Sequence, residues 1–138
     1  MAEFTAREII EATKGELIYG DINSHISGIS TDSRNISKGQ LFVAIKGERF
    51  DGHDFVKGIF ERGAYGAIVS KIPSEPFPGH LIIRVADALK ALGDIAHFHR
   101  MRFKIPIVAI TGSCGKTTTK EMAHAVLSKR YKIGRAHV

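Results

Sequence analysis

The chain has 138 residues, the size of one ordinary domain or of parts of two, and it is too short for a large multidomain enzyme. Hydrophobic residues make up 43% and charged residues 25% of it, without a low-complexity tract, which excludes a mainly disordered protein. The formal net charge of +6 suits phosphate-bearing ligands as well as nucleic acid, and the one cysteine, Cys114, excludes an intrachain disulfide framework and a cysteine-based zinc site.

The same features set expectations for partners and compartment. Basic residues are scattered, and no basic run is interleaved with aromatic residues, so we expect no nucleic-acid partner. No apolar run approaches the roughly 20 residues that span a bilayer, and the N-terminal segment carries acidic residues where a signal peptide has none, so we expect neither membrane insertion nor export. A single cysteine indicates a reducing compartment, and we expect the cytoplasm.

The N-terminal segment predicts one short helix. Thr5 and Glu8 form a capping box, apolar residues on both sides of it can close a hydrophobic staple, and Gly15 suits the position after the last turn. We therefore expect a helix over residues 6–14.

The region that follows predicts a small sheet with long loops. Short β-type runs occur around residues 16–19, 26–31 and 41–45, separated by Gly, Asn, Asp and Ser. Asp54 is expected to cap a short helix that ends at Gly63, followed by a buried strand over residues 66–70.

The next segment predicts a second helix-and-strand unit. Residues 71–79 hold three of the four prolines and form a loop, and a strand over residues 81–85 follows. A helix is expected over residues 87–102, because apolar residues recur there at helical spacing, and Pro106 prevents its continuation. We place the domain boundary near residue 85.

The last part of the chain has the order strand, glycine loop, helix. Residues 107–110 are apolar and mostly β-branched, as in a strand buried on both faces, and an amphipathic helix is expected after the loop. One strand and two helices cannot bury a core of their own, so a domain that starts at residue 85 is expected to be truncated.

The loop itself predicts a phosphate site. Its glycines let backbone N–H groups converge on an anion at a helix N-terminus, Lys116 adds a charge for the β- and γ-phosphates, and the Thr117 hydroxyl can bind Mg²⁺. A structural glycine turn is the alternative. A kinase or GTPase loop would have glycine where Ile110 stands, which counts against those classes. We expect the phosphates to be cradled by Gly112, Ser113, Cys114, Gly115, Lys116, Thr117 and Thr118.

Motifs throughout the chain resemble the ATP-dependent Mur ligases of bacterial cell-wall synthesis. The family's shortened loop T-G-x-x-G-K-T-T is matched by residues 111–118, although most members have Asn or Ser at Cys114. The N-terminal half is similar at residues 30–34, 39–47 and 51–53, which match the pattern of the family's UDP-sugar-binding domain. The resemblance covers residues 5–132. It implies an α/β fold with a small mixed-sheet UDP-sugar-binding domain over residues 1–84 and the truncated start of a P-loop ATPase domain over residues 85–132.

The resemblance also implies substrate-binding residues. A UDP-sugar needs donors and acceptors for uracil, hydroxyl partners for ribose and positive groups for the diphosphate. The residues alone leave open whether Asp32 and Ser33 only cap a turn while Arg34 pairs with Asp32, and whether His53 is a packing residue. The residues that the family pattern assigns to the UDP-substrate are Ser30, Thr31, Asp32, Ser33, Arg34, Asp51, Gly52 and His53.

The residues around and after the glycine loop, 91–94, 105–110 and 119–122, are similar to the members that join D-alanyl-D-alanine to UDP-MurNAc-tripeptide. This implies transfer of the ATP γ-phosphoryl group to the tripeptide carboxylate, giving an acyl phosphate that the dipeptide amine attacks. Lys116 and Thr117 would be catalytic, with ATP and Mg²⁺ as cofactors, in a monomer. We expect the 138-residue fragment itself to be inactive, and a non-catalytic UDP-sugar-binding module is the alternative.

The last six residues, 133–138, resemble no continuation of the family. They read as a translation of the start of a common sequencing adapter, and we expect them to be a foreign tail without packed structure after Lys132.

Overall fold

A computed structural model describes residues 3–134 of the chain. The chain divides into two compact units, Met1–Phe103 and Lys104–Val138. The first unit contains strands β1 (Phe4–Thr5), β2 (Glu16–Tyr19), β3 (His25–Ile26), β4 (Gly28–Ser30), β5 (Gln40–Val43), β6 (Gly66–Val69) and β7 (Leu81–Arg84), and helices α1 (Ala6–Thr13), α2 (Val56–Glu61) and α3 (Ala88–Met101). A 3-10 helix (Gly52–Phe55) precedes α2, and the second unit contains α4 (Lys116–Leu127).

Five strands form one mixed sheet in the order β2-β7-β6-β5-β4. The pairs β4–β5, β5–β6 and β6–β7 are parallel, and β2 lies antiparallel to β7 at one edge. The parallel strands therefore end at a common edge of the sheet, which is where α/β proteins bind ligands. This architecture confirms the predicted α/β class with a mixed sheet.

Both faces of the sheet are covered because its strands alternate between two apolar clusters. Along β5, Leu41 and Val43 belong to a cluster that includes residues of α1 and α3, whereas Phe42 belongs to a cluster that includes residues of α2. Each buried strand therefore needs apolar residues at consecutive positions, which is the pattern seen over β6 and β7.

Helix α1 is set by the predicted capping box. The Thr5 hydroxyl accepts from the Glu8 backbone N–H, and the Glu8 carboxylate accepts from the Thr5 backbone N–H at 2.7 Å. The expected role of Gly15 is wrong, because Lys14 is the left-handed residue that ends the helix. Gly15 is required for another reason: a Cβ there would lie 2.8 Å from a methyl group of Ile83.

The start of α2 also differs from the prediction. Asp51, not Asp54, is the capping residue, and its side chain accepts from the His53 backbone N–H at the start of the 3-10 helix. Helix α2 follows directly, without a side-chain cap of its own. The 3-10 helix thus lies ahead of the predicted helix, and the capping carboxylate lies three residues earlier than expected.

Helix α3 packs within the first unit, whereas the sequence placed it in the second domain. Its N-cap is Asp87, whose side chain accepts from the Lys90 backbone N–H. At its other end, the Arg102 guanidinium lies 5.1 Å from the ring of Phe4 and 5.0 Å from the ring of Phe98, and it also donates to the carboxylate of Glu8. The apolar face of α3 packs in the same cluster as α1, and the first compact unit extends to Phe103.

In the second unit, the predicted helix after the glycine loop is present as α4, but the predicted strand is not. Residues 107–110 have no strand structure, and Ile107 and Val108 are 61% and 71% exposed. A strand requires a hydrogen-bonded neighbour, and no other segment among residues 3–134 pairs with this one. The predicted foreign tail falls mainly on residues 135–138, which lie outside the described residues. No helix over the described range is long and apolar enough to cross a bilayer.

Candidate functional site

A cleft of about 360 Å³ lies where the parallel strands β4 and β5 end. One wall is the turn that follows β4, and the other is formed by the segment that leads into the 3-10 helix. The lining residues are Thr31, Asp32, Ser33, Arg34, Phe42, Val43, Ile45, Phe50, Gly52 and Phe55. The floor of this cleft is apolar and one wall is polar and charged, which is typical of a site for a small polar ligand.

The turn after β4 is organised around the carboxylate of Asp32. Its two oxygens accept from Nε and Nη2 of Arg34, at 3.0 and 3.1 Å, and Oδ1 also accepts from the Arg34 backbone N–H. Asn35 donates to Oδ2 as well. These bonds, led by those from Arg34, hold the pKa of the Asp32 carboxyl well below its ordinary value. The Asp32 carboxylate is thus ionised, and its hydrogen bonds are made within the turn. It orients the Arg34 side chain, which is 82% exposed.

Arg62, at the end of α2, holds the same turn from outside. Its Nη1 donates to the backbone carbonyl oxygen of Ser33 at 2.5 Å. Sequence reasoning did not find this residue, because the contact spans 29 positions and no local pattern connects an arginine after a helix to a distant turn. The turn is therefore held by two arginines: Arg34, which belongs to the turn itself, and Arg62, which directly follows α2.

The opposite wall begins at a glycine with no room for a side chain. The Gly52 N–H donates to the Ile45 carbonyl oxygen at 2.9 Å. A Cβ on Gly52 would lie 2.7 Å from the Ile45 nitrogen and 2.8 Å from the Ala44 carbonyl carbon. The 3-10 helix is thus pressed against the end of β5 by backbone contact.

The predicted UDP-substrate residues divide into two sets. Five of them line the cleft: Thr31, Asp32, Ser33, Arg34 and Gly52. Ser30, Asp51 and His53 do not line it and instead support its walls. The sequence did not single out two exposed aromatic residues of the lining, Phe50 (72% exposed) and Phe55 (40% exposed). In the sequence, each of these residues is a large apolar residue near a Gly- and Asp-rich turn. Residues that only pack a helix against the core show the same pattern, so the pattern does not indicate a ligand site.

The glycine loop of the second unit has backbone geometry that presents N–H groups. Gly112 and Gly115 have φ values of +152° and +75°, which L side chains rarely adopt, and α4 begins directly at Lys116. Gly115 is the N-cap and makes no side-chain hydrogen bond, so backbone groups form the helix N-terminus. The Lys116 ammonium group donates to the Gly112 carbonyl oxygen, which folds the side chain back over the loop.

The loop residues of the predicted phosphate site are all exposed. This holds for residues 111–119, and the thiol of Cys114 is free and exposed. Within residues 3–134, no group of three or more His, Cys, Asp or Glu side chains is arranged to hold a metal ion. The Thr117 hydroxyl at the start of α4 is one ligand of the kind Mg²⁺ takes, so a magnesium ion fits here only together with phosphate oxygens.

Comparison with known proteins decides the family. The family described as "Mur ligase family, catalytic domain" matches residues 25–100, more than half of the chain. The chain belongs to the Mur ligase family.

Curated Mur ligases of two kinds are similar to this chain. It is 39% identical over 134 residues to the UDP-N-acetylmuramoyl-tripeptide--D-alanyl-D-alanine ligase of Bacillus subtilis, covering 96% of the chain and 29% of the relative. It is 40% identical over 116 residues to the UDP-N-acetylmuramoyl-L-alanyl-D-glutamate--2,6-diaminopimelate ligase of Aquifex aeolicus, covering 80% and 23%. The chain therefore spans less than a third of the length of either relative.

Solved Mur ligase structures have the same fold over most of the chain. The crystal structure of MurF from Acinetobacter baumannii matches with a TM-score of 0.83 at 37% identity, over 94% of this chain and 28% of that one. MurF ligase from Thermotoga maritima in complex with ADP matches with a TM-score of 0.64 at 34% identity, over 74% and 23%. A member of the family thus binds an adenine nucleotide.

Proposed function

We propose that this chain is the UDP-substrate-binding and ATP-phosphate-binding portion of a Mur ligase that joins D-alanyl-D-alanine to UDP-MurNAc-tripeptide. The observation that carries the proposal is the cleft at the end of β4 and β5, where an exposed, oriented Arg34 faces apolar and aromatic lining residues. The similarity to the Bacillus subtilis ligase and to MurF structures over more than nine tenths of the chain supports this branch of the family.

The chemistry of the cleft suits a uridine diphosphate group. Arg34 uses Nε and Nη2 on Asp32, which leaves its remaining N–H groups for diphosphate oxygens. The hydroxyl groups of Thr31 and Ser33 suit ribose, and the exposed rings of Phe50 and Phe55 offer surfaces for a base. We therefore assign UDP recognition to these residues, with Ser30 and Asp51 as supports of the two walls.

In this proposal, the glycine loop binds the phosphates of ATP. Backbone N–H groups at residues 112–118 and the N-terminus of α4 would bind the phosphates, and Lys116 would swing from the Gly112 carbonyl to the γ-phosphate. Thr117 would hold Mg²⁺ together with phosphate oxygens, and the metal would offset charge on the transferring group. The ADP complex of a similar MurF ligase supports nucleotide binding in this family.

In this proposal the chain positions groups rather than forming covalent bonds. Lys116 and the loop amides stabilise negative charge on the γ-phosphoryl group as it moves to the tripeptide carboxylate. The amine of D-alanyl-D-alanine then attacks the acyl phosphate and releases phosphate. Because the chain spans 29% of the Bacillus relative, we assign the binding steps to it and the turnover to the whole ligase.

A binding experiment tests the proposal on the chain itself. Amide NMR signals of the 138-residue chain are followed during titration with UDP, with GDP as a base-mismatched control and with ATP plus Mg²⁺ in a separate series. We expect UDP to shift signals of residues 31–34 and 52–55, GDP to shift them less, and ATP to shift signals of residues 112–118. A non-catalytic UDP-sugar-binding module predicts the UDP response without the ATP response. Equal shifts by UDP and GDP would contradict the assignment of the cleft to uridine.

A further inference from the structure

The imidazole ring of His53 joins two elements at the carboxyl edge of the sheet. Its Nδ1 lies 2.5 Å from Oδ1 of Asp51, and its Nε2 lies 3.0 Å from the Ser70 nitrogen and 3.3 Å from the Lys71 nitrogen. The side chain is only 14% exposed. Both ring nitrogens therefore have protein partners, which is the arrangement of a structural link and not of a ligand contact.

The partners determine the tautomer of the ring. Backbone N–H groups can only donate, so Nε2 must carry a lone pair, and the single proton of a neutral imidazole then lies on Nδ1. Nδ1 donates to Asp51, whose carboxylate also accepts from the His53 backbone N–H. These hydrogen bonds from His53 lower the pKa of the Asp51 carboxyl. Nδ1 of His53 is therefore the donor, to the Asp51 carboxylate, and Nε2 is the acceptor, from the Ser70 N–H.

The link holds one wall of the cleft. Gly52 and Phe55 line the cleft and flank His53 in the 3-10 helix, while Ser70 directly follows β6. The wall is otherwise anchored at its start by the hydrogen bond from Gly52 to Ile45. We propose that His53 is a positioning residue that fixes the Gly52–Phe55 wall to the end of β6 and thereby sets the cleft for its ligand. This inference rests on the proposed function of the cleft.

The lone pair on Nε2 is the acceptor that the Ser70 and Lys71 backbone N–H groups use. The Ser70 hydroxyl also lies 3.2 Å from Nε2. Glutamine at this position keeps a side-chain oxygen acceptor, whereas alanine removes the acceptor altogether.

The test uses three variants of the 138-residue chain, with UDP as the probe. H53A removes the link, H53Q keeps an acceptor, and H97A is a matched control because His97 is exposed on α3. We expect H53A to speed hydrogen exchange at the Ser70 and Lys71 amides, to shift the Gly52 and Phe55 signals, and to weaken UDP binding about tenfold, as losing a supporting residue does at other sites. H53Q should retain most of the affinity and the slow exchange at Ser70 and Lys71, and H97A should match the wild type.

The outcomes separate this proposal from others. Weaker UDP binding in H53A with unchanged exchange at Ser70 and Lys71 would mean direct ligand contact and would overturn the positioning role. Unchanged affinity despite faster exchange would also overturn it. If H53A fails to fold, H53Q decides: UDP affinity and exchange at Ser70 and Lys71 close to those of the wild type support the proposal, and weaker UDP binding with unchanged exchange overturns it. If the wild-type chain does not bind UDP, the proposed function fails, and the exchange and Gly52 signals alone decide the role of His53.

Discussion

Arg34 donates to both carboxylate oxygens of Asp32, although the two residues are only two positions apart in an exposed turn. The Arg34 backbone N–H donates to the same carboxylate at 2.9 Å. A single carboxylate thus orients the backbone and the side chain of one arginine, and it leaves that side chain 82% exposed beside the cleft. An arginine held in this way loses little additional side-chain entropy when it binds a phosphate.

The first prediction concerns Arg34. Replacement by alanine should weaken UDP binding about tenfold or more, because a hydrogen bond to a charged group contributes about 1.5 to 3 kcal/mol. ATP binding should be unchanged. Titration of the variant with UDP and with ATP, compared with Arg7→Ala on α1, measures both effects. Equal loss of affinity for the two nucleotides would show that the two sites are misassigned.

The second prediction concerns acid conditions. Because the pKa of Asp32 is lower in the folded chain than its ordinary value of 3.8, its pair with Arg34 contributes its full stability above pH 3.8, and this contribution is lost progressively as the pH falls from there through the lower folded pKa. We expect no change in the turn between about pH 5 and 8 from this carboxyl group. A titration of the Asp32 carboxyl carbon by NMR measures the folded pKa. In Arg34→Ala the titration should move up toward the ordinary value, and an unchanged titration would contradict the assigned cause.

The third prediction compares two glycines. Gly52→Ala should lower the free energy of unfolding by about 1 to 3 kcal/mol, because the added Cβ meets backbone atoms of Ala44 and Ile45 that cannot move aside easily. Gly58→Ala is the matched control on α2, where nothing lies within 4 Å of the added atom. It should raise the free energy of unfolding by up to about 1 kcal/mol through helix propensity. Urea denaturation of both variants tests the difference, and equal effects would show that the backbone around Gly52 can accommodate a Cβ despite the distances of 2.7 and 2.8 Å.

The fourth prediction concerns the glycine loop. Lys116→Ala should weaken ATP binding about tenfold to a hundredfold while the fold is retained, because this side chain is exposed and donates to the Gly112 carbonyl oxygen of its own loop. Lys129→Ala, another exposed lysine of the second unit, should bind ATP like the wild type. NMR titration with ATP and Mg²⁺ compares the two. A similar small loss in both variants would mean that the loop binds ATP through general charge alone.

Local sequence patterns determined the elements and the class of the fold. The capping box at Thr5 and Glu8, the consecutive apolar residues of β6 and β7, and the glycine loop before α4 each act within a few positions, so a sequence shows them directly. The family motifs at residues 30–34 and 111–118 likewise indicated where ligands are expected to bind. These predictions depend on short-range geometry, which is fixed by neighbouring residues.

Tertiary structure decided how those elements support the cleft. The hydrogen bond from Arg62 to Ser33 spans 29 positions, and the one from Ser70 to His53 spans 17. No local sequence pattern predicts contacts between residues so far apart. The failed strand at residues 107–110 has the same physical reason, because a strand is stabilised by hydrogen bonds to a neighbour and not by its own residues. The sequence alone indicated which residues are chemically suited to bind, including the locally paired Asp32 and Arg34, whereas long-range packing brought their turn together with the Gly52–Phe55 wall and placed His53 between that wall and the end of β6.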